Sequence, residues 1–594
     1  MTTVNVTDRV MRPHLTNPLS GAPSKPRAAR RLVSNDWFIR IMSVVVGLLI
    51  WELIGSHYPY SMSSPLGVVR AVKKFLVPQV LPAAYESLKT FSLAFAICVF
   101  FGIPIGLAMA RIKFVRLAIQ PYVSMLNSLP MLALFPLLIL VFGINTEIRV
   151  AACVLFGIWS VIVNTFTGAS RVDVTLQDVG RSFVASGWKR LTTIIIPGSL
   201  NYIFAGTRIG FGHAMIGAVV IELEASLVGV GSLLQRYSQN LQLAPYFIVV
   251  LVLGLFSISF SVVLKRFQRW ATMPWERSHR LSDRHATSHA TMGMSSDIGN
   301  RGVNPLTKLL RGSRAALRPI VRPVRTVVGS TYRFIASGAR FFTGRATAWI
   351  LRVVVFVGLI ALWQYEYQHV NQGALPAPHA VAKAFYHLTF QTHAIFAPLF
   401  NSLELFGAGF LISLVIGIPT GLAMGRYRRF ELVLDPYVSF MYALPLVVFV
   451  PIMVIWLGFG FNFGVAFVVV SAVFIVIINT MQGVHSVDRE LIDVGRSFCS
   501  SERKILRTII IPSTVPFVIA GARLAFSVSW IGVIVSEVVS SETGLGGQIA
   551  TYQTQYLLAD MFVPVLYIAA ISVVLVGLAN RYAPRLTPWS DVSR

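Results

Sequence analysis

Long runs of apolar residues alternate with short polar segments along most of this chain. Each run has about 20 residues, the length that a helix needs to cross about 30 Å of hydrocarbon. The runs are continuous, which favours helices over the alternating pattern of barrel strands. The predicted spans are 41–57, 87–110, 121–143, 148–168, 198–222 and 244–265, followed by 347–367, 402–425, 436–459, 462–482, 513–537 and 560–581. The pattern predicts an all-α membrane protein with about twelve spans.

The second half of the chain repeats the first. The sequence FGIPIGLAMAR at 101–111 returns as IGIPTGLAMGR at 416–426, and PYVSMLNSLP at 121–130 returns as PYVSFMYALP at 436–445. The offset of 315 holds without a gap over about 87–237 of the first copy, whereas Trp51 matches Trp363 at an offset of 312. Six spans return the chain to its starting side, so we expect two parallel copies related by an axis along the membrane normal.

Composition supports a membrane protein and excludes several kinds of site. The 594 residues are 55% hydrophobic and 13% charged, with a mean hydropathy of +0.69. The polar segment before the first span is too long for an ordinary secretory signal, so we expect no cleaved signal peptide. Cys98, Cys153 and Cys499 are isolated in the sequence, which argues against a disulfide framework or a metal site.

The net charge of +27 is concentrated in two segments. Residues 1–40 hold seven Lys or Arg against two Asp or Glu, and 265–346 hold sixteen against three. By the positive-inside rule both are cytoplasmic, and attraction to lipid headgroups explains their charge without nucleic acid. The predicted layout is a tail at 1–40, membrane domains at 41–265 and 347–583, a linker at 266–346 and a second cytoplasmic tail at 584–594.

A polar segment recurs between the fourth and fifth spans of each copy. It reads DVGRSFVASGWKRLTTIIIP from Asp178 to Pro197 and DVGRSFCSSERKILRTIIIP from Asp493 to Pro512, with 14 of 20 positions identical. An acid suits a helix N-terminus, and proline suits the first turn of a helix but not its interior. Each segment therefore predicts a short amphipathic cytoplasmic helix that turns sharply at its proline into the fifth span.

These segments resemble the EAA loop of binding-protein-dependent ABC importer permeases. YIFAGTRIG and FVIAGARLA after the loops, then IELEASLVGVG and VSEVVSSETGLG, resemble the nitrate, sulfonate and taurine permease group in particular. The resemblance covers about 40–265 and 347–583. It implies the type I ABC importer permease fold twice in one chain, in a bacterial inner membrane, with a small anion such as nitrate, a sulfonate or an organic acid as the solute.

The resemblance also implies partners. In that family a cytoplasmic ATPase, here in two copies, binds the ATP, and an extracytoplasmic protein delivers the solute. This sequence has no G-x-x-x-x-G-K-[ST] phosphate loop, so we expect it to bind no cofactor and catalyse no reaction itself. The implied coupling residues are Asp178, Val179, Gly180, Val184 and Pro197, with Asp493, Val494, Gly495, Cys499 and Pro512 in the second copy. Val184 and Cys499 replace the family's central glycine, so either the turn differs there or the helix continues through it.

Polar residues inside the spans are candidates for the pathway. Arg208 and Arg523 lie near the centres of the fifth spans, where arginine costs about 2.5 to 3.5 kcal/mol, so each should face protein or a watery cavity. They either line the pathway and favour an anion or are satisfied by neighbouring carbonyls and hydroxyls. Asn127 and Tyr442 differ at one repeat position, through selection for an asymmetric solute or through drift. His213 either packs or contacts the solute.

Two acids at the ends of the fifth spans complete the candidate residues. Glu222 and Glu537 end the fifth spans on the outer side, where they either contact a binding protein or mark the membrane interface.

A twelve-span secondary transporter driven by an ion gradient also has two parallel six-span halves. It offers no reason for a duplicated helix between the fourth and fifth spans. A membrane enzyme is disfavoured because no catalytic motif lies near a span.

Overall fold

The computed structural model describes residues 36–59, 61–225, 228–288, 345–369, 375–540 and 543–586. Most of the predicted tails at 1–40 and 584–594, and of the linker at 266–346, lie outside these residues. The secondary structure of the described residues is helical, without strands. The last helix of the first half continues to Ser288, past the predicted end of the first membrane domain at 265.

The two halves contain the same helices in the same order. The first half comprises α1 (Asp36–His57), α2 (Pro65–Phe75), α3 (Leu81–Arg111), α4 (Lys113–Ser128), α5 (Phe135–Phe142), α6 (Thr146–Ser170), α7 (Val174–Ser182), α8 (Gly187–Arg190), α9 (Ile196–Glu224), α10 (Val230–Gln239) and α11 (Leu243–Ser288). The second comprises α12 (Arg345–His369), α13 (Pro378–Tyr386), α14 (Phe396–Arg426), α15 (Arg428–Ala443), α16 (Val450–Leu457), α17 (Phe461–His485), α18 (Arg489–Ser497), α19 (Glu502–Ile505), α20 (Ile511–Ser540), α21 (Leu545–Thr554) and α22 (Leu558–Leu586). The predicted all-α fold with two repeats is confirmed.

The predicted third spans are not straight helices. Among the described residues, ten helices are long and apolar enough to cross a membrane, and twelve spans result only if two bent pairs each count as one. α4 meets α5 at 99°, and α15 meets α16 at 97°. The break follows from Pro130 and Pro445, because proline lacks an N–H donor and holds the preceding residue in an extended conformation.

Small residues set the packing within each half. α6 packs between α3 and α9, and α17 packs between α14 and α20. A Cβ atom on Gly106 would lie 2.7 Å from the carbonyl oxygen of Ile162, and one on Gly421 would lie 2.7 Å from that of Ile477. Glycine at these positions lets the helix backbones approach closely, as is usual in membrane proteins.

The halves contact each other reciprocally. α1 packs on α15, and α12 packs on α4, so the first span of each half lies against the third of the other. α9 likewise contacts the turn Leu446–Phe449, while α20 contacts the matching turn Met131–Leu134. Reciprocal contacts of this kind indicate an approximate two-fold axis between the halves. The fifth spans and the broken third spans meet around that axis.

Candidate functional site

Each recurrent polar segment forms two short helices joined by a tight turn. Asp173 caps α7, because its Oδ1 accepts the Thr175 N–H at 2.8 Å, and Asp488 caps α18 by accepting the Glu490 N–H at 3.0 Å. An N-cap carboxylate satisfies a free N–H group and favours the helix dipole. The prediction that Asp178 and its repeat partner begin these helices is therefore wrong.

Asp178 and Asp493 lie within their helices and form exposed ion pairs. The Asp178 Oδ1 lies 2.7 Å from Arg181 Nη1, and the Asp493 Oδ1 lies 3.7 Å from Arg496 Nη1. Both pairs are spaced three residues apart on one helix face. The side chains of Asp178 and Asp493 are 56% and 73% exposed, so both acids remain accessible to a partner. Exposed pairs of this kind contribute little to stability.

The turn after the first helix of each loop forms although valine or cysteine replaces glycine there. Val184 and Cys499 adopt left-handed φ angles of 49° and 51°. The Val184 N–H donates to the Arg181 carbonyl at 2.9 Å, and the Ala185 N–H donates to the Gly180 carbonyl at 3.0 Å. The same two bonds close the second loop, and together they form the Schellman pattern that terminates helices. The helix therefore ends here and does not continue through the turn.

The chain does not turn sharply at Pro197 or Pro512, contrary to the prediction. α8 continues through a wide, π-helical turn at Leu191–Ile195 into α9, and Gly187–Glu224 forms one continuous helix. In the wide turn the Ile196 N–H donates to the carbonyl oxygen of Leu191, five residues earlier in the chain. This shift in the hydrogen-bond register just before Pro197 accommodates a residue that has no N–H to donate. Pro512 follows the same kind of turn.

Gly180 and Gly495 let the two helices of each loop close on each other. A Cβ atom on Gly180 would lie 2.7 Å from Ile194 Cδ1, and one on Gly495 would lie 3.0 Å from Ile509 Cδ1. Both glycines are buried although they lie on otherwise exposed helices. The first loop helix is thus packed directly on the segment that leads into the fifth span.

The free side of each loop presents a matched apolar surface. Phe183 and Phe498 are 81% and 80% exposed, and Val179 and Val494 beside them are about half exposed. We call these surfaces the docking tips; they comprise Leu176, Val179, Phe183 and Val184 in the first half, and Leu491, Val494, Phe498 and Cys499 in the second. Exposed apolar clusters commonly mark sites of protein interaction.

Four buried apolar residues close the space between the halves. We call Leu132, Val220, Val447 and Val535 the gate; they form two pairs of equivalent positions and belong to one buried cluster. They also line one side of a single cavity between the halves. Each is at most 6% exposed, so these side chains are packed together at this level between the halves.

Toward the docking tips the same helix faces become exposed. Ile209 precedes Val220 by eleven residues, which is about three helical turns, so both point in nearly the same direction. Ile209 is 44% exposed, and its equivalent Leu524 is 51% exposed. We infer that the space between the halves is closed at the gate and open toward the docking tips.

The structure separates the polar candidates for the pathway. Arg208 and Arg523 are exposed beside Ile209 and its equivalent, and Asn127 and Tyr442 are exposed at the ends of α4 and α15, just before the bends. These four residues remain candidates for the pathway. His213 instead forms a 2.9 Å hydrogen bond with Ser160 Oγ on α6, which indicates a packing role.

Glu222 lies inside the protein and not on a surface that a partner could reach. It is 1% exposed, and its carboxylate accepts hydrogen bonds from Ser87 Oγ at 2.7 Å, Arg149 Nη2 at 2.8 Å and the Gly231 N–H at 3.0 Å. Of the two predicted roles, contact with a binding protein is therefore wrong for Glu222, and a position at the membrane interface stays a prediction. The carboxylate instead joins α3, α6, α9 and α10.

Glu537 forms the equivalent junction in the second half. It is 4% exposed and accepts hydrogen bonds from Ser402 Oγ at 2.7 Å and the Gly546 N–H at 2.8 Å, so the predicted outer contact is wrong here as well. The two halves differ at one position, because Gly464 occupies the place of Arg149. Sequence reasoning missed Ser87 and Ser402, although both precede their glutamates by the same 135 residues.

Comparison with known proteins agrees with the geometry. The chain is 25% identical over 270 residues to the putative aliphatic sulfonates transport permease protein SsuC of Bacillus subtilis, covering 44% of this chain and 96% of that protein. It is 29% identical over 189 residues to the bicarbonate transport system permease protein CmpB of Synechococcus elongatus, covering 32% and 66%. A probable ABC transporter permease protein of Brucella abortus is 28% identical over 193 residues, covering 32% and 77%.

A solved structure and a family profile complete the comparison. The crystal structure of an amino acid ABC transporter with histidines matches at 20% identity and a TM-score of 0.29, covering 34% of this chain and 98% of that one. The profile of binding-protein-dependent transport system inner membrane components matches residues 102–272 and again 413–588, together more than half of the chain. The chain therefore belongs to this family and carries its transport domain twice, as a fused tandem permease.

Proposed function

We propose that this chain supplies both halves of the pore of an ABC importer, and that its docking tips bind two copies of a cytoplasmic ATPase. The observation that carries the proposal is the matched exposure of Phe183 and Phe498 at the ends of two equivalent loops. A symmetric pair of apolar tips fits a partner that offers two similar grooves. ATP is bound and hydrolysed on that partner, and this chain moves the solute.

A mechanical path joins each tip to the gate. Gly180 packs against Ile194, so the first loop helix cannot move without the segment that follows it. That segment belongs to the continuous helix Gly187–Glu224, in which Val220 of the gate lies about 40 Å beyond Ile194 at 1.5 Å per residue. Approach of the two ATPase subunits therefore tilts the fifth spans and opens the gate, which gives alternating access.

The solute is a small molecule delivered by an extracytoplasmic binding protein at a bacterial inner membrane, with both termini of the chain in the cytoplasm. Aliphatic sulfonates and bicarbonate, the compounds named in two relatives, are both anions. Exposed Arg208 and Arg523 on the open side of the gate support an anionic group on the solute. Arginine at mid-membrane is commonly placed where it meets a substrate or a watery cavity.

The test is to remove both tips at once. We expect F183A/F498A to reach the membrane in normal amounts, to lose ATPase binding in a pull-down from membranes, and to lose at least about tenfold of its ATP-dependent uptake. Phe100→Ala, which removes a phenylalanine exposed on α3, is the matched control and should retain both activities. Uptake that an ion gradient sustains in the double variant would contradict the proposal and favour a secondary transporter.

A further inference from the structure

A cavity of about 390 Å³ lies between the halves on the far side of the gate from the docking tips. We call it the vestibule. All four gate residues line it, together with residues of α10 and α16. Its volume suits a small solute, and its position next to the closed gate places it on the route that the proposed function requires.

The two walls of the vestibule differ in chemistry. The first half contributes polar side chains, which are Glu224, Gln235, Ser238 and Gln239. The second half contributes an apolar wall that includes Val454, Ile455, Phe459 and Val539. Among the residues that the structure describes, neither lysine nor arginine lines the cavity. The vestibule is therefore acidic on one side and apolar on the other.

This difference is a departure from the repeat. Glu224 and Val539 occupy equivalent positions, both at the far ends of the fifth spans and both lining the same cavity. Glu222 and Glu537, only two residues earlier, are identical and are fully used by internal hydrogen bonds. Their role in holding helices together thus explains why both halves have the buried pair, Glu222 and Glu537. That role does not explain Glu224, whose carboxylate faces the cavity and has no counterpart in the second half.

We propose that the vestibule binds an organic solute whose ammonium or other N–H group meets Glu224 and whose apolar body lies against Phe459 and Val539. An ammonium group donates a charge-assisted hydrogen bond to a carboxylate, whereas a compact oxyanion is repelled by it. This inference rests on the proposed transport function and narrows it. The solute carries a donor group for the vestibule in addition to the anionic group that Arg208 and Arg523 favour.

The experiment uses the full chain in lipid nanodiscs without the ATPase, and measures ligand binding by saturation-transfer NMR. The probes are propylammonium, propanesulfonate and 3-aminopropanesulfonate, which share one apolar body and differ in their charged ends. We expect the two amino-bearing probes to bind and propanesulfonate to bind far more weakly. E224V should weaken the binding of the amino-bearing probes about tenfold, the loss expected for one charge-assisted hydrogen bond.

Two further variants separate binding from folding. Glu147→Gln removes an exposed carboxylate at the start of α6 and should leave binding unchanged. E224V/V539E moves the carboxylate to the equivalent position on the opposite wall and should restore much of the lost binding, which a merely structural role would not predict. Preferential binding of propanesulfonate, failure of both amino-bearing probes to bind, or full binding by E224V would each overturn the proposal.

The outcome is independent of the test of the proposed function. Binding is measured without ATP or ATPase, so F183A/F498A should bind the amino-bearing probes as the unaltered chain does. If that double variant loses uptake while E224V leaves binding unchanged, the importer proposal stands and the vestibule assignment fails. If E224V weakens binding while F183A/F498A keeps its uptake, the vestibule assignment stands and the importer proposal fails.

Discussion

At the scale of single residues, Val184 and Cys499 show that the loop turn is imposed by its surroundings. A left-handed conformation costs an L-residue about 1 to 2 kcal/mol, and a branched side chain such as valine is among the least suited to it. The turn persists because two backbone hydrogen bonds and the packing at Gly180 fix it on both sides. The valine side chain is almost fully exposed, so it gains no burial in return.

Val184→Gly should therefore stabilise the first loop. We expect a gain of about 1 kcal/mol, because glycine adopts the left-handed conformation freely. Hydrogen–deuterium exchange at the Ala185 N–H should slow about fivefold. Val179→Gly, the same change within α7, is the control and should speed exchange, because glycine lowers helix stability by about 1 kcal/mol. Faster exchange in V184G would show that the turn is not strained.

The buried acids give a second prediction at this scale. Arg149→Met leaves the Glu222 carboxylate buried without its cation, and we expect the free energy of unfolding to fall by about 3 to 5 kcal/mol. Adding E222Q should recover part of that loss, because a neutral amide needs no cation. E537Q alone should cost less than about 1 kcal/mol, since Gly464 stands there in place of Arg149. Unfolding in detergent by increasing denaturant measures all three, and equal losses in R149M and R149M/E222Q would contradict the expected coupling.

At the scale of the helices, the sequence predicted which helices exist and their order better than it predicted their bends. Apolar runs located the fourth spans to within three residues at each end, because burial in lipid requires long, continuous helices. The helices of the second, third and sixth spans extend further beyond their predicted bounds. The bends at Pro130 and Pro445 were missed, since a proline inside an apolar run can kink a span, break it or end it. The straight passage through Pro197 was missed for a related reason, because the wide turn that accommodates it leaves no signature in the sequence.

The loop hairpin provides a prediction at the scale of the element. Gly180→Val places a branched side chain where Ile194 Cδ1 lies 2.7 Å from an added Cβ, so the two loop helices must separate. We expect a local destabilisation of about 1 to 3 kcal/mol and a loss of ATP-dependent uptake at normal membrane abundance. Gly187→Ala lies in the same loop, where an added Cβ meets nothing within 4 Å, and should transport normally. Normal uptake by G180V would show that the packing does not transmit motion.

At the scale of the whole molecule, the decisive features are contacts between distant parts of the chain. The junctions at Glu222 and Glu537 join residues 135 positions apart, and the gate joins both halves. The repeat predicted that equivalent residues exist, but it could not say which of them face each other across the axis. For that reason the sequence placed the two glutamates at the outer ends of the fifth spans but did not show that neighbouring helices enclose them.

The closed gate and the open space below it can be tested by chemical labelling. Cys98 and Cys153 are buried, so replacing the exposed Cys499 with serine gives a background with little reactivity. In that background a water-soluble maleimide should modify I209C rapidly and V220C slowly, because the first side chain is exposed and the second is enclosed by the gate.

Trapping the ATPase with ATP and vanadate should reverse this order of labelling, since closure of the docking tips tilts the same continuous helix that carries both residues. L524C and V535C should repeat the result in the second half, which makes them internal controls. Labelling of V220C that stays slow in the trapped complex would mean that motion of the tips does not reach the gate. Equal labelling of I209C and V220C before trapping would mean that the gate is not closed in the resting chain.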